Sequence, residues 1–352
     1  MKVAVVRNRE DSGVINRFGQ PCPEVYGERT VQMVADAFAE RAHEVEVLEG
    51  DKTLLAELER FMPPDTDGLP TGIVFNMAYG IQGECRYTHI PAMLEMAGVP
   101  YTGSGPLGHA LALDKVITKI LIREAGVRTP NFLVAHSADV DLGGLKFPLV
   151  IKPRHESTSY GLHLVTNREE AAGAIATVVD EYQQEALVEE YIHGREFCIG
   201  MIGNDPIEFL PLVESDFGDK QNRLVTWADK FMQSDCEPEK ICPPAVSEVL
   251  AKALRDVSVA SFRACHCRDF ARVDLRVDEN DNPYVLEINS MASLGRTGSY
   301  VLAAQTAGYD FAALVNRILD ETHQRYFGSP APGPNRSVAM PVSEKFAALA
   351  AA

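Results

Sequence analysis

Three side chains that carry oxygen lie on two neighbouring predicted strands. Asp274 belongs to the predicted strand Phe270–Val277, and Glu287 and Asn289 belong to Pro283–Asn289. Residues i and i+2 of a strand face the same side, and the polar turn between the strands predicts a hairpin that brings the three side chains together. Carboxylate and amide oxygens are the ligands that Mg²⁺ prefers, so the pattern predicts a magnesium site. The alternative is a solvated hairpin face.

The same alternation predicts which residues of the second strand face the core. With Glu287 and Asn289 on the ligand side, we expect Leu286 and Ile288 to pack inward.

Lysines and hydroxyl side chains form a second group, which is suited to phosphate. Lys152 ends the apolar run 149–152, where its ammonium group can point at a phosphate. The loop that follows supplies backbone N–H groups, hydroxyls and a glycine that can cover phosphates: Ser157, Thr158, Ser159 and Gly161. No Walker motif is present, and an exposed polar turn explains the loop equally well. Lys115 is a second candidate, although alone it is only a charged helix residue.

Acidic residues on both sides of a glycine form a third group. Glu189 ends a predicted strand at 186–191, and Glu196 begins the next strand after Gly194. A carboxylate at such a place can bind the exocyclic amine or the ribose hydroxyls of a nucleotide. The alternative is ordinary charge at the end of a strand.

The elements that must position these groups divide along the chain. In the first third, strands at Lys2–Arg7, 45–48 and Gly72–Asn76 alternate with helices at 26–42 and 91–97. This order predicts an α/β unit with a parallel sheet.

The later elements indicate a mostly antiparallel α+β arrangement, with a boundary near 105–130. A helix at 114–125 precedes strands at 147–152, 162–166 and 186–191, and further strands at 196–202 and 207–213 follow a helix at 169–181. The long polar loop 216–244 is of the length that usually serves as a functional lid, and helices are predicted at 246–265 and 311–322.

Composition excludes several classes of function. The 352 residues include 33 Lys and Arg against 50 Asp and Glu, for a net charge of −17. Such an acidic chain argues against general binding of nucleic acid or of an anionic membrane. No apolar run is long enough to span a membrane, and seven scattered cysteines fit a reducing compartment, so we expect a cytoplasmic protein.

In combination, these motifs resemble the ATP-grasp ligases. Their order and spacing match from Lys115 through Lys152 to the hairpin, and the stretch 98–105 with 110–115 resembles the D-alanine–D-alanine ligase branch. The resemblance covers about Gly72 to Glu321. It implies an ATP-grasp fold with an N-terminal α/β domain at 1–110, a central domain at 111–213 and a C-terminal catalytic domain at 214–328. The mobile loop 216–244 belongs to the third domain, and a disordered tail at 329–352 follows.

The resemblance also implies roles for individual residues. The ATP phosphates would be contacted by Lys115, Lys152 and the loop of Ser157, Thr158 and Ser159, called the hydroxyl loop below. Adenine and ribose would be bound by Glu189, Tyr191, Ile192 and Glu196. Asp274, Glu287 and Asn289 would hold two Mg²⁺ ions, for which Mn²⁺ is a possible substitute. Arg272 would stabilise the tetrahedral intermediate, and Lys230 would lie over the γ-phosphate. Family members are commonly homodimers, which we also expect here.

The chain departs from the family where amino-acid substrates bind. The early Gly-Gly-x-Ser-x-Glu stretch is missing, with Glu10 a remote substitute; the second lid serine is Thr158, and the tyrosine after the loop lysine is Phe231. Ser299 lies about where the family keeps a serine for the acceptor carboxylate, and Gly295 could donate its N–H to an oxyanion.

Two arginines suggest a substrate with an extra or displaced carboxylate. Arg86 and Arg296 lie in stretches expected at the substrate site, and a guanidinium binds a carboxylate through two hydrogen bonds. The alternative for each is a surface arginine.

The sequence therefore predicts an ATP-dependent carboxylate–amine ligase that acts through an acyl phosphate on small amino-acid or carboxylate substrates other than two D-alanines. Genuine D-alanine–D-alanine ligation is one alternative, and a non-catalytic nucleotide-binding module is another.

Overall fold

The computed structural model describes residues 1–8, 24–218, 224 and 238–329. A parallel three-stranded sheet begins the chain, with strand order β2-β1-β3. Its strands are β1 (Lys2–Arg7), β2 (Glu44–Glu49) and β3 (Gly72–Asn76). The helices around it are α1 (Glu28–Glu40), α2 (Leu54–Phe61) and α3 (His89–Ala97). The predicted α/β character of this part is confirmed.

Two short helices lead from this sheet to an antiparallel one. They are α4 (Pro106–Leu113) and α5 (Lys115–Glu124). The second sheet has the order β4-β7-β5-β6 and is packed against α6 (Arg168–Glu181). Its strands are β4 (Phe132–Ala135), β5 (Leu149–Pro153), β6 (His163–Val165) and β7 (Ala186–Glu190).

The third sheet is antiparallel as well, with the order β11-β10-β8-β12-β13 and β9 paired to β8. Its strands are β8 (Arg195–Ile202), β9 (Glu208–Phe209), β10 (Val213–Asp216), β11 (Glu239–Ile241), β12 (Phe270–Val277) and β13 (Pro283–Asn289). The helices of this part are α7 (Glu248–Ala264), α8 (Ser299–Thr306) and α9 (Phe311–Phe327).

Local sequence explains where several helices begin and end. Asp114 caps α5 by accepting hydrogen bonds from the N–H groups of Val116 and Ile117, and this cap fixes Lys115 as the first helical residue. Gly98 ends α3 with a φ of 68°, which glycine adopts without steric cost.

Some elements differ from the prediction. The helices α2, α4 and α8 and the strand β4 were not predicted, and the predicted strand 207–213 is two strands, β9 and β10. The predicted loop 216–244 contains β11. Most of the rest of that loop, and the predicted tail beyond Ser329, lie outside the described residues. Because β8 and β9 pair within the third sheet, sheet membership changes at residues 191–194.

A register shift in the last hairpin makes one inward prediction wrong. Leu275 pairs with Val285 while Asp274 pairs with Glu287, so an extra residue, Leu286, interrupts the alternation. Val285 and Ile288 are buried in the core, whereas Leu286 is half-exposed.

The hydrophobic cores show which parts are built together. One core joins the first sheet to the third through α1, α8 and α9, with Phe38, Phe75, Tyr300 and Leu314 among its members. The second sheet has a core of its own, formed with α6. This sheet is therefore joined to the rest mainly through polar contacts and the connection at 191–194.

Asp269 joins the first and third parts through a buried carboxylate. It accepts hydrogen bonds from the N–H of Gly103 (2.9 Å), from Thr322 Oγ1 (2.8 Å) and, through two nitrogens, from Arg325 (2.9 and 2.7 Å). The Arg325 guanidinium also donates to the carbonyl of Tyr101. A buried charge with this many donors is costly to disturb, so it fixes how α9 sits against the first part.

No helix in the described part of the chain is long and apolar enough to cross a membrane.

Acid should destabilise the fold through His43. Burial, with the nearby amino terminus and Arg41, lowers the pKa of His43 to about 4, and neither ring nitrogen has a hydrogen-bond partner among the described residues. The unfolded chain binds a proton near pH 6.5, so this contribution to stability is lost as the pH falls from about 6.5 towards 4.

We expect His43→Leu to reduce the difference in the free energy of unfolding between pH 7 and pH 5 by about 1–2 kcal/mol. Urea denaturation at both pH values measures it, with the exposed His136→Gln as a control. Equal reductions in both variants would contradict the assignment.

Candidate functional site

Most of the predicted site lies on the charged face of the third sheet. Arg272, Asp274 and Arg276 alternate along β12, and strand geometry predicts one face for them. Across β13, Asp274 lies opposite Glu287 and Arg272 lies opposite Asn289. On the other side, β8 places Glu196 opposite Arg276.

The three predicted metal ligands lie together. Asp274 and Glu287 are register partners, and Asn289 Nδ2 donates to Asp274 Oδ2 at 3.0 Å. Two carboxylates and an amide oxygen on one face fit a hard divalent cation such as Mg²⁺. Their chemistry therefore agrees with the prediction for this group.

Two cations contact these carboxylates in the structure. Arg272 donates to both oxygens of Asp274, at 2.6 and 2.7 Å, and Lys115 Nζ lies 3.7 Å from Glu287 Oε2. Burial opposes the charge of Arg272, yet Asp274 raises the pKa of its guanidinium above the usual value. A metal ion at this site would have to replace both contacts.

Lys152, the other lysine predicted to contact phosphate, is held by a buried carboxylate. Lys152 Nζ lies 2.6 Å from Glu189 Oε1, and Lys119 Nζ lies 2.7 Å from Glu189 Oε2. Burial opposes the charge of Glu189, but the two ammonium groups lower its pKa; burial lowers the pKa of Lys119 to about 8. The 3% exposed side chain of Glu189 thus faces two lysines in the structure, and its contact with the nucleotide stays a prediction.

The hydroxyl loop contacts the N-terminal segment, which is the stretch 24–27 before α1. Ser157 Oγ and Tyr87 Oη both donate to Glu24 Oε2. Thr158 and Ser159 have φ values of 57° and 61°, a conformation that residues other than glycine seldom adopt. The strained loop thus presents three consecutive hydroxyl residues next to a carboxylate that the sequence analysis had missed.

Arg86 is engaged by the protein itself, and its contact with a substrate stays a prediction. Its NH2 lies 3.2 Å from Glu156 Oε2, its NH1 donates to the carbonyl of His155 at 3.0 Å, and its side chain is 1% exposed. Lys115 Nζ donates to the carbonyl of Glu156. Arg86 therefore fixes the start of the hydroxyl loop.

Three tyrosines connect the N-terminal segment to the loop after β13. Tyr79 Oη donates to Tyr26 Oη at 2.7 Å, and Tyr26 Oη accepts the N–H of Leu294 at 3.0 Å. Tyr79 also packs against Tyr87, with ring centroids 5.4 Å apart. Burial raises the pKa of Tyr26 and Tyr79, so both hydroxyls stay protonated.

The predicted groups after β13 are placed differently from one another. The Gly295 N–H donates to Ser293 Oγ at 3.2 Å, so in this structure it serves the loop rather than an oxyanion. Ser299 is the first residue of α8 and hydrogen-bonds with Cys198. Cys198 lies on β8 and is the register partner of Asp274 on β12. Arg296 is exposed on the loop, and its contact with a substrate stays a prediction.

The nucleotide-binding predictions meet at the connection between the second and third sheets. Tyr191 and Ile192 lie there, and Glu196 lies 3.0 Å from Arg276 Nε. Glu10, Lys230 and Phe231 lie outside the described residues, so their roles remain predictions.

Four charged residues of the site were missed: Glu24, Lys119, Glu156 and Arg276. Two of them had a signal in the spacing. Lys119 is four residues after Lys115 on one helix, and Arg276 is two residues after Asp274 on one strand. Glu24 and Glu156 are brought to the site by tertiary packing, and no local motif marks them.

Comparisons with known proteins agree with this geometry. Residues 121–320 match the family model described as the C-terminus of D-ala D-ala ligase. An uncharacterized protein of Sinorhizobium fredii is 52% identical, covering 94% of this chain and 99% of that one. A D-alanine–D-alanine ligase of Syntrophobacter fumaroxidans is 33% identical, over 66% of this chain and 74% of that one.

A solved structure shows the same fold. The D-alanine–D-alanine ligase from Bacillus anthracis complexed with ATP superposes with a TM-score of 0.70 at 22% identity, covering 92% of this chain and 97% of that one. The predicted ATP-grasp fold is thereby confirmed.

Removing the arginine that contacts Asp274 should strengthen metal binding. Arg272→Met leaves the carboxylate without its cation, and we expect the affinity for Mn²⁺ in the absence of nucleotide to rise by about tenfold. Isothermal titration calorimetry with Mn²⁺ measures this. Arg195→Met removes a similar two-contact pair, with Glu214, and should leave the affinity unchanged. Unchanged affinity in Arg272→Met would contradict the metal assignment.

Proposed function

The chain belongs to the D-alanine–D-alanine ligase family and is an ATP-dependent carboxylate–amine ligase, and from this premise we propose that it joins small amino-acid or carboxylate substrates other than two D-alanines. The observation that carries the proposal is the charged face around Asp274 and Glu287, with Lys115 beside it. Such a face suits a polyphosphate with its metal ions.

The family uses ATP and Mg²⁺, and the residues present fit both. We assign Asp274, Glu287 and Asn289 as the metal ligands. Bound Mg²⁺ would supply positive charge to the phosphate oxygens and so favour phosphoryl transfer to a carboxylate.

The lysines on either side would hold the phosphates. Lys115 and Lys152 are buried, and in the structure each is paired with a carboxylate, Glu287 and Glu189 respectively. We propose that phosphate oxygens take over part of these contacts when nucleotide binds. Lys119 keeps Glu189 charged and in place, which limits how far Lys152 can move.

Arg272 would act on the amine-transfer step. Released from Asp274, its guanidinium can donate to the oxygen that becomes negative when the amine adds to the acyl phosphate. Ser299, at the start of α8 and near Cys198, would orient the acceptor.

The substrate preference rests on the N-terminal side of the site. Glu24 accepts hydrogen bonds from Tyr87 and from Ser157 of the hydroxyl loop, and nearby Tyr26 accepts the N–H of Leu294 in the loop after β13. A carboxylate among hydroxyl donors suits the ammonium group of an amino acid. The relatives' own activity, ligation of two D-alanines, remains the second candidate, and it is favoured by the 33% identity to those ligases.

We also propose a cytoplasmic homodimer. The location follows from the need for ATP, and the dimer follows from the family resemblance. Light scattering after size-exclusion chromatography tests the dimer directly.

The activity should appear as ADP released only with the correct pair of substrates. The protein is incubated with ATP, Mg²⁺ and a panel of single and paired amino acids of both chiralities, and ADP and product mass are measured together. We expect ADP with a product other than the D-alanine dimer. A D-alanine dimer would establish the second candidate, and ATP binding without turnover under all pairs would favour a non-catalytic module.

Loss of one metal ligand should remove turnover and leave the fold intact. We expect Glu287→Gln to lower kcat by at least about 100-fold, because the amide cannot replace the carboxylate at the metal. The measurement is ADP release at saturating Mg²⁺, with circular dichroism as the check on folding. The matched control is Glu214→Gln on β10. Full activity in Glu287→Gln would contradict the assignment of Glu287 as a metal ligand.

A further inference from the structure

One buried arginine holds the connection between the second and third sheets, residues 191–194. Arg276 is 1% exposed, and its NH1 donates to the carbonyl of Ile192 at 2.8 Å. Its guanidinium carbon lies 4.5 Å from the centre of the Tyr191 ring, close enough for a cation–π contact. The arginine therefore contacts both the backbone and a side chain of the connection.

The same guanidinium binds the first acidic residue after the connection. Arg276 Nε lies 3.0 Å from Glu196 Oε2, and the two residues are register partners on β12 and β8. The Phe217 ring, 5.8 Å away, adds a second aromatic contact. With these partners Arg276 is held in place and is not positioned to move onto a phosphate.

The backbone of the connection also lies in close contact with β12, the strand that carries Arg276. Gly194 has a φ of 138°, and a Cβ there would lie 1.9 Å from the carbonyl oxygen of Val277. Only glycine permits this approach. On the other side, the Tyr191 N–H donates to the carbonyl of Pro148, at the start of the second sheet. The connection is thus fixed from both sheets, and β12 provides Arg276 and the Val277 carbonyl on the third-sheet side.

We propose that Arg276 is a positioning residue that orients Glu196 towards the ribose hydroxyls and thereby sets the selectivity for ribonucleotides. The inference rests on the proposed function, since it takes Glu196 as the ribose ligand. A guanidinium fixes the direction of a carboxylate, and a fixed, partly buried acceptor such as Glu196 penalises a ligand that lacks the matching hydroxyl. A carboxylate that can rotate loses this discrimination.

The test compares binding of ATP and of 2′-deoxyATP, so it needs no knowledge of the amino-acid substrates. Calorimetry with Mg²⁺ present gives both dissociation constants for the wild type, Glu196→Gln, Arg276→Met and the double variant. We expect the wild type to prefer ATP by about tenfold or more. Arg276→Met and Glu196→Gln should each lose most of that preference, and the double variant should lose no more than either one.

Two further variants separate positioning from simple stability. Arg276→Lys keeps the charge but cannot contact Ile192 and Glu196 together, so we expect an intermediate preference and a fold close to the wild type. Arg317→Met removes an arginine paired with Glu208 and Glu321 on another surface and should keep the full preference. Thermal melts show which variants fold.

Several outcomes would overturn the inference. One is a wild-type preference for ATP that Arg276→Met and Arg276→Lys retain while Glu196→Gln loses it. Another is equal binding of ATP and 2′-deoxyATP by the wild type, which would leave the proposed ligase function standing. Absence of ATP binding by the wild type would instead overturn the proposed function, and this inference with it.

Discussion

Burial of charge is the constraint on which the candidate site depends. Charged groups taken out of water are costly unless they are paired, and the central cations of the site meet a carboxylate in the structure. Lys152 contacts Glu189, Arg272 contacts Asp274, and Lys115 lies beside Glu287. The protein therefore stores the charges needed for a polyphosphate and its metal ions as pairs that neutralise one another. Binding of a nucleotide with its metal ions would then replace these partners with phosphate oxygens and metal ions. No charged group would be left without a partner.

This exchange explains why the site spans two sheets with separate cores. The lysine of the second sheet and the carboxylates of the third are held by partners on their own sides, apart from the contact between Lys115 and Glu287. In the proposed function, a ligand between the sheets would replace pairs within each part with contacts that join them. The polar contacts of Glu156 with Arg86 and Lys115 limit the relative placement of the hydroxyl loop, so the exchange takes place within a defined geometry.

Sequence reasoning succeeded where spacing along one element determines position. The hairpin of Asp274 and Glu287 was predicted because strand periodicity and a polar turn suffice to place both side chains. It failed at Leu286, since a register shift leaves no clear mark in composition. It also did not find the protein partners of Glu189 and Arg86, because these partners are distant in the chain. The domain boundaries and the roles of the site residues remain predictions, supported by where the residues lie.

The core shared by the first and third parts has a consequence for synthesis on the ribosome. The first sheet packs through Phe38 against α9, near the end of the described chain, and Asn316 of α9 donates to the carbonyl of Ala37. The second sheet, in contrast, is built from consecutive residues around its own core. The residues of the second-sheet core are therefore all present once residue 190 has been made, whereas one of the two cores of the first sheet lacks its α9 side chains until the end of the described chain. The core that joins the first part to the third is thus among the last features of the described fold whose residues are all made.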